Sequence, residues 1–236
     1  MKQGSVTNVK PVGPPPRVAA EIYGERLPLA QRYAHLLATT GIEHGLLGPR
    51  EADKIWDRHI VNCAIMESLL PHRTRVVDIG SGAGLPGVAL AIARPDLRVS
   101  LVEPLARRIT WLEQTVEDLG LPHVSVHHAR AEAMVGLIQA QVVVARAVAR
   151  LDKLVAWAWP LLPQGGRLLA LKGHSAEAEL EQTLPRIEGL GMAHAVVHVL
   201  GSDLLAQPVR VVEIVRATQP RYETVPGKLA RKRPSR

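Results

Sequence analysis

Three closely spaced glycines constrain this chain more than any other feature, because they follow a strand pattern and precede a helical one. The apolar run at 74–79 is typical of a buried strand, and Asp78-Ile-Gly80-Ser-Gly82-Ala-Gly84 begins with its last two residues. Glycines let a loop turn tightly and let a ligand approach the main chain without meeting a Cβ atom. In an open α/β sheet, ligands bind outside the carboxyl ends of the strands. The segment therefore predicts a ligand-binding loop at the edge of such a sheet.

The rest of the pattern agrees with an α/β fold. After residue 73 the sequence alternates between strand and helix patterns, which predicts a mostly parallel sheet covered on both faces. The predicted strands lie at 74–79, 97–103, 123–128, 141–145, 167–171, 194–200 and 208–216, and the predicted helices at 84–93, 104–119, 131–138, 150–162 and 175–190. The last two strands are too close together for a helical crossover, so we expect them to form an antiparallel pair at the sheet edge. Two further helices are predicted upstream, at 17–40 and 51–70.

The glycine loop fits two cofactors. From Gly82 onward it matches the dinucleotide pattern GxGxxG, whereas from Gly80 it reads GxGxG, with Asp78 two residues before the first glycine. A carboxylate would repel a pyrophosphate, but it would attract the ammonium group that S-adenosylmethionine has and NAD lacks. We therefore favour S-adenosylmethionine, and an NAD(P)-dependent Rossmann oxidoreductase remains the alternative enzyme.

Acidic residues at or just after the ends of the second and third predicted strands support a nucleoside cofactor. Glu103 ends the second predicted strand, where a carboxylate can accept hydrogen bonds from both ribose hydroxyls. NAD enzymes also use an acid at this point, so Glu103 does not choose between the two cofactors. Ala131 and Glu132 follow the third strand, where an adenine pocket would form. The predicted cofactor site thus includes Asp78, Gly80, Gly82, Gly84 and Glu103.

The positive charge is concentrated at the two ends of the chain. The net charge is +7, but residues 1–17 carry +3 and residues 216–236 carry +6, which leaves a body of −2. Basic tails suggest a polyanionic partner, although a solubilising tail is an equally good explanation. A non-catalytic RNA-binding assembly protein is therefore a third hypothesis. Aromatic residues make up 3% of the chain, which argues against an RNA surface of stacked aromatics.

Composition also bounds the organisation and location of the protein. The single cysteine allows no intrachain disulfide, and the spacing of the ten histidines predicts no metal site. No segment has the pattern of a signal peptide or a membrane span, so we expect a cytoplasmic protein, with a monomer as the default. We expect a flexible lead-in at 1–16, one domain at 17–216 and a basic tail at 217–236. Within that domain, helices would occupy 17–72 and a Rossmann-like core 73–216.

Several blocks of sequence together resemble one family, the ribosomal RNA small subunit methyltransferase G family, also called glucose-inhibited division protein B. The resemblance covers about residues 50–216 and rests on Trp56-Asp-Arg58-His59-Ile60, Val77-Asp-Ile-Gly-Ser-Gly-Ala-Gly-Leu-Pro-Gly87, Leu105-Ala-Arg107-Arg108-Ile-Thr-Trp-Leu112, Ala145-Arg146-Ala147 and Leu171-Lys172-Gly173. It implies a class I methyltransferase fold and methylation of N7 of guanine 527 in the 530 loop of 16S rRNA. The implied partner is 16S rRNA, the 30S subunit or its assembly intermediate. The implied cofactor contacts are Gly80, Leu85, Ala131, Glu132 and Arg146.

The chain departs from the family pattern at one place. Many members carry Asn-Leu-Thr where Gly45-Leu46-Leu47 stands here, so no role of that asparagine or threonine is carried over. N7 of guanine has a free lone pair and no proton to lose, so the reaction needs positioning rather than a general base. Consistently, the sequence offers no convincing catalytic base.

Cationic side chains are the candidates to position RNA, through phosphates or guanine O6. They are Arg58, His59, Arg107, Arg108, Arg146 and Lys172. Arg146 and Lys172 are predicted at the carboxyl ends of the fourth and fifth strands, on the ligand edge. Arg107 and Arg108 begin a helix, where an ordinary solvated pair is an equal alternative. Apart from the resemblance, His59 would be interpreted as a structural histidine.

Overall fold

A seven-stranded sheet forms the centre of the protein, for which the computed structural model describes residues 12–218. The strand order is β3-β2-β1-β4-β5-β7-β6. The strands are β1 (Arg75–Ile79), β2 (Arg98–Glu103), β3 (Val124–His128), β4 (Val142–Arg146), β5 (Arg167–Lys172), β6 (Met192–Leu200) and β7 (Val209–Arg216). The first five are parallel to one another, and β7 is antiparallel to both β5 and β6. The predicted fold class and the antiparallel pair at one edge are confirmed.

The central strands are apolar on both faces, as strands of a doubly covered parallel sheet must be. In β1 the neighbouring residues Val76 and Val77 are each 1% exposed, and they belong to different hydrophobic clusters on the two faces. Four consecutive residues of β4, from Val142 to Ala145, are likewise buried. Because β1 pairs in parallel with both β2 and β4, the carboxyl ends of these three strands lie side by side at one edge of the sheet.

Helices cover both faces. They are α1 (Arg17–Tyr23), α2 (Leu27–Leu36), α3 (Val61–Ala64), α4 (Gly87–Ala93), α5 (Ala106–Asp118), α6 (Leu151–Ala158) and α7 (Ala176–Gly189). Side chains of α1 to α5 share one hydrophobic cluster with Val76 and Leu101. Side chains of α6 and α7 share the other cluster with Val77 and Val143.

Three predicted helices are interrupted or less regular in the structure. The helix predicted at 17–40 consists of α1, α2 and a π-helical turn (Leu37–Gly41), and that predicted at 131–138 is a 3₁₀ turn (Ala131–Met134). The helix predicted at 51–70 is a series of turns around α3: a 3₁₀ turn (Pro49–Lys54), a π-helical turn (Ile55–Ile60) and a 3₁₀ turn (Ile65–Leu69). The π-helical turn buries Ile55, Trp56, His59 and Ile60 together, so packing overrides a regular 3.6-residue period.

The helix predicted from residue 84 begins at Gly87 instead. Gly84 has a φ of +81°, which an α-helix does not accommodate, so the glycine loop continues to Pro86.

The part of the predicted lead-in that the structure describes lies against the body. Val12 packs on the hydrophobic cluster, and the carbonyl of Gly13 accepts a hydrogen bond from Trp56 Nε1 at 3.0 Å. Residues 1–11 and 219–236, which include most of the predicted lead-in and basic tail, lie outside the described residues. Between residues 12 and 218, no helix has both the length and the apolarity that crossing a membrane requires.

Candidate cofactor pocket

A cavity of about 630 Å³ opens at the carboxyl ends of β1, β2, β3 and β4. This is the edge at which the sequence predicts a ligand, and the volume is typical of small-molecule sites. Of the predicted site residues, those lining the cavity are His59, Gly80, Gly82, Leu85, Glu103, Arg108, Ala131, Glu132 and Arg146. Those that do not line it are Arg58, Asp78, Gly84, Arg107 and Lys172.

The glycine loop forms the floor of the cavity. Gly80 has a φ of +70°, and a Cβ atom there would lie 2.8 Å from both γ carbons of Val148. Only glycine fits this combination of conformation and contact. The loop is held from both sides, because the Gly80 amide donates to the Val102 carbonyl at 2.8 Å and the Tyr33 hydroxyl donates to the Ala83 carbonyl at 2.7 Å. The floor is therefore fixed before a ligand arrives.

Glu103 joins β2 to the glycine loop. Its side chain is 1% exposed; Oε2 accepts from the Gly82 amide at 3.0 Å and Oε1 from the Leu105 amide at 3.1 Å. Arg108 Nη1 lies 3.5 Å from Oε2, and Arg108 Nε is buried with no partner among the described residues. A carboxylate offers about four lone-pair directions, so Glu103 can still accept hydrogen bonds from a ligand's hydroxyls.

Asp78 lies beneath the loop rather than on the cavity wall. Its side chain is fully buried; Oδ2 accepts from the Gly87 amide at 2.9 Å, while Oδ1 has no partner among the described residues. Burial raises the pKa of Asp78 from 3.8 to about 7. The predicted contact with an ammonium group stays a prediction, and the unpartnered Oδ1 is the atom that could make it.

A hydrogen-bonded cluster lies at the end of β4, on the other side of β1 from Glu103. Arg146 Nη2 lies 2.6 Å from His59 Nδ1 and 3.2 Å from the Arg58 carbonyl oxygen, and Nη1 lies 3.2 Å from Cys63 Sγ. His59 Nε2 lies 2.8 Å from Glu51 Oε2. Burial, followed by the charge of Arg146, lowers the pKa of His59 to about 4, so this imidazole is neutral at pH 7.

Two of the predicted RNA-positioning residues have other partners. Lys172 ends β5 with a side chain that is 9% exposed, and its Nζ lies 2.8 Å from both the Ala149 carbonyl oxygen and Glu179 Oε2. Arg58 is exposed, and its Nη1 lies 3.3 Å from Glu51 Oε1. Their predicted contact with RNA stays a prediction.

Sequence reasoning missed the apolar part of the lining. It consists mainly of Leu46, Leu47, Leu105, Val148 and Trp157, and the charged Arg130 was missed as well. These residues come from separate loops and from α6, so no local spacing marks them as one group. Ala147, between Arg146 and Val148, has a φ of +52°, a rare conformation for a non-glycine residue.

The residues present fit S-adenosylmethionine. A glycine floor that excludes side chains suits a ligand lying close to the main chain, and the Glu103 carboxylate suits the two hydroxyls of a ribose. The unpartnered carboxylate oxygen of Asp78 lies below the same loop. Over residues 12–218, His, Cys, Asp and Glu side chains form no group of three that could hold a metal ion.

Solved structures with this fold include S-adenosylmethionine-dependent enzymes. The chain is similar to an S-adenosylmethionine-dependent O-methyltransferase from Thermotoga maritima, with a TM-score of 0.52, 15% identity and coverage of 67% of this chain and 65% of that one. It is also similar to a predicted O-methyltransferase from Agrobacterium tumefaciens, with a TM-score of 0.53, 18% identity and coverage of 65% and 79%. These likenesses establish a class I methyltransferase fold.

Sequence comparison identifies the family. The profile described as rRNA small subunit methyltransferase G matches residues 26–206. The protein of that name from Pseudarthrobacter chlorophenolicus is 51% identical over 199 residues, which cover 84% of this chain and 92% of the relative. The one from Thermobifida fusca is 56% identical over 168 residues, or 71% of each chain. The cofactor of the present protein is S-adenosylmethionine, and the chain belongs to the rRNA small subunit methyltransferase G family.

Proposed function

We propose that the protein methylates N7 of guanine 527 in the 530 loop of 16S rRNA, with S-adenosylmethionine as methyl donor. The observation that carries this proposal is one cavity with two different walls. Glu103 and the glycine loop suit the adenosine part of the cofactor, and Arg146 lines the same cavity at the end of β4, on the other side of β1 from Glu103. The relatives are named as methyltransferases of small subunit ribosomal RNA, and these names supply the class of substrate.

The residues that would hold the cofactor are the glycine loop, Glu103 and the Ala131-Glu132 pair. When bound, S-adenosylmethionine supplies a methyl group activated by a sulfonium. Glu103 would accept hydrogen bonds from ribose hydroxyls, and its fixed orientation means that little conformational entropy is lost on binding. Arg146, at the end of β4, would also contact the cofactor, through the donors that His59, Arg58 and Cys63 do not use.

The hydrogen bonds of the lining support N7 as the acceptor atom. Glu103 already accepts two main-chain hydrogen bonds, and both nitrogens of His59 are engaged, by Arg146 and Glu51. The lone pairs that remain on Glu103 are those offered to the ribose hydroxyls, and His59 has no free nitrogen, so neither side chain is placed to remove a proton from the base. N7 of guanine has none to remove, so the protein needs only to hold the base in line for transfer.

The apolar lining supports a planar substrate group. Leu46, Leu47, Val148 and Trp157 line the cavity, and a guanine ring could pack against such a surface. Methylation places a positive charge on the guanine, so a cation touching the ring would oppose the reaction. The exposed side chains of Arg107 and Arg130 are instead suited to phosphates of the surrounding RNA.

A label-transfer experiment tests the proposal. Methyl-labelled S-adenosylmethionine is supplied with naked 16S rRNA and, separately, with 30S particles, both from cells lacking this modification. The labelled nucleotide is mapped by chemical cleavage specific for 7-methylguanine. We expect label at guanine 527 in at least one substrate, and none when adenine replaces guanine 527.

The controls separate the competing outcomes. The Glu103→Ala protein should transfer no labelled methyl group to RNA if the reaction takes place in this pocket. Label at another nucleotide, at another atom of guanine 527 or on protein would overturn the proposed substrate. Family membership already sets aside the NAD(P)-dependent alternative. The assembly-protein hypothesis predicts RNA binding with no transfer at all.

A further inference from the structure

Three residues from separate elements form a continuous hydrogen-bonded chain that ends at the cavity wall. Glu51 lies in the 3₁₀ turn before His59, His59 lies in the π-helical turn, and Arg146 ends β4. The two links measure 2.8 Å, from Glu51 Oε2 to His59 Nε2, and 2.6 Å, from His59 Nδ1 to Arg146 Nη2. These hydrogen bonds thus connect the N-terminal helical layer to the ligand edge of the sheet.

The direction of each hydrogen bond follows from the partners. A guanidinium has donors only, so His59 Nδ1 must be the unprotonated nitrogen that accepts from Arg146. His59 Nε2 therefore carries the proton and donates a hydrogen bond to the Glu51 carboxylate. Burial alone would raise the pKa of Glu51, but the hydrogen bond from His59 and the charge of Arg58 lower it below its usual value. Glu51 thus fixes one tautomer of a neutral His59.

We propose that Glu51 is a positioning residue for Arg146, acting through the neutral imidazole of His59. Arg146 has five donors, and three of them are used by His59 Nδ1, the Arg58 carbonyl and Cys63 Sγ. The Nε–H group and one Nη1–H group remain for an oxygen acceptor in the cavity. Without Glu51, His59 could take the other tautomer, and its Nδ1–H group would then oppose Arg146.

Burial explains why this series of hydrogen bonds needs Glu51, its outer residue. The side chain of His59 is 7% exposed and that of Glu51 is 23% exposed, so water can replace the carboxylate only in part. Removing the partner of a buried polar group leaves its desolvation penalty uncompensated. The ion pair between Arg58 and Glu51 contributes less, because the Arg58 side chain is 61% exposed.

Binding of S-adenosylhomocysteine, measured by calorimetry, tests the inference without a methyl acceptor. Glu51→Ala is expected to weaken binding about tenfold, because Arg146 is no longer held in one orientation. Glu51→Gln keeps an oxygen that accepts from His59 Nε2, so it is expected to bind within about threefold of wild type. Glu177→Gln is the matched control, since Glu177 forms an exposed pair with Arg210, 3.1 Å apart, at a distance from the cavity.

A second measurement on the wild-type protein needs no variant. Nitrogen-15 chemical shifts should show His59 as neutral at pH 7, with the proton on Nε2. A proton on Nδ1, or an imidazolium ion, would overturn the inference even if Glu51→Ala does not fold. Wild-type affinity in a folded Glu51→Ala protein would overturn it too, as would equal losses in the alanine and glutamine variants.

The inference rests on the proposed function only in its choice of ligand. If wild-type protein binds S-adenosylhomocysteine but transfers no methyl group to guanine 527, the proposed substrate fails and the role of Glu51 can still be measured. If transfer occurs normally and Glu51→Ala behaves as wild type in both assays, the positioning role alone fails.

Discussion

The Glu103 carboxylate accepts a hydrogen bond from the Gly82 amide at 3.0 Å, so the acid that ends β2 holds the loop that follows β1. The same side chain accepts from the Leu105 amide and lines the cavity. Glu103 thus has two tasks, to order the glycine loop and to offer lone pairs to a ligand. A substitution at this position should affect both stability and cofactor affinity.

Glu103→Ala should weaken S-adenosylhomocysteine binding roughly 10- to 100-fold, since hydrogen bonds to a charged acceptor contribute about 1.5–3 kcal/mol each. It should also lower the free energy of unfolding, because two main-chain amides lose their acceptor. Calorimetry and urea unfolding give the two quantities. Glu103→Gln, which keeps one acceptor oxygen, should have an intermediate effect on both. A tight-binding Glu103→Ala protein would show that this acid does not contact the cofactor.

Substitutions at Gly80 and Gly82 separate backbone strain from steric contact. Both have positive φ, so alanine at either should cost about 1–2 kcal/mol of stability. At Gly80 the new Cβ would also lie 2.8 Å from Val148, whereas at Gly82 the nearest atom, the Gly80 carbonyl oxygen, would lie 3.8 Å away. Gly80→Ala should therefore be the less stable protein, as measured by urea unfolding. Adding Val148→Ala should recover part of the loss at Gly80 and none at Gly82; equal recovery would contradict the packing described for the loop.

Asp78 should make stability depend on pH. Burial raises its pKa in the folded protein to about 7, so the folded state keeps a proton that the unfolded state loses near pH 4. The stability from this neutral carboxyl group is fully present below about pH 4 and is lost as pH rises through about 7. Asp78→Asn cannot ionise, so its unfolding free energy should fall less than that of wild type over this range. Urea unfolding at several pH values, without ligand, measures the difference, which should reach a few kcal/mol. Parallel pH curves for the two proteins would show that Asp78 is ionised throughout.

Ala147→Gly should stabilise the protein. Ala147 has a φ of +52°, and a non-glycine residue in this left-handed region costs roughly 1 kcal/mol or more. The extra freedom of glycine in the unfolded chain offsets part of the gain, so we expect a net increase of up to about 1 kcal/mol in urea unfolding. Ala145→Gly is the control, because Ala145 is a buried strand residue and should lose stability. A destabilised Ala147→Gly protein would mean that the alanine methyl group makes packing contacts that outweigh the strain.

The sequence predicts the sheet and half of the pocket for a physical reason. Parallel strands are buried on both faces, so their apolar runs stand out, and the glycine loop and Glu103 lie directly at strand ends. Gly80, Gly82 and Glu103 therefore line the cavity as their positions in the sequence predict.

The other half of the pocket depends on tertiary packing. Leu46 and Trp157 lie more than a hundred residues apart and line the same cavity only in the folded chain. Glu51 is linked to Arg146 through His59, in irregular turns that the periodicity presents as one helix. The same limit applies to Asp78 and Lys172. Their strand-end positions predict ligand contacts, but the sequence does not reveal that each side chain already has a main-chain partner.

Lys172 provides a direct comparison between a structural role and an RNA contact. Its Nζ bridges the Ala149 carbonyl and Glu179, and Glu179 also accepts from the Leu151 amide at 3.1 Å, so the pair ties the loop after β4 to α7. Because the Lys172 side chain is 9% exposed, Lys172→Met should lower the free energy of unfolding by about 2 kcal/mol or more. Lys153→Met, at an exposed lysine, should leave the free energy of unfolding nearly unchanged.

Binding to 30S particles over a series of salt concentrations gives the slope of log affinity against log salt concentration. A lysine that contacts a phosphate contributes about one unit to the salt slope, so an unchanged slope in Lys172→Met indicates a structural role. A slope reduced by about one, with stability intact, would instead establish Lys172 as an RNA contact.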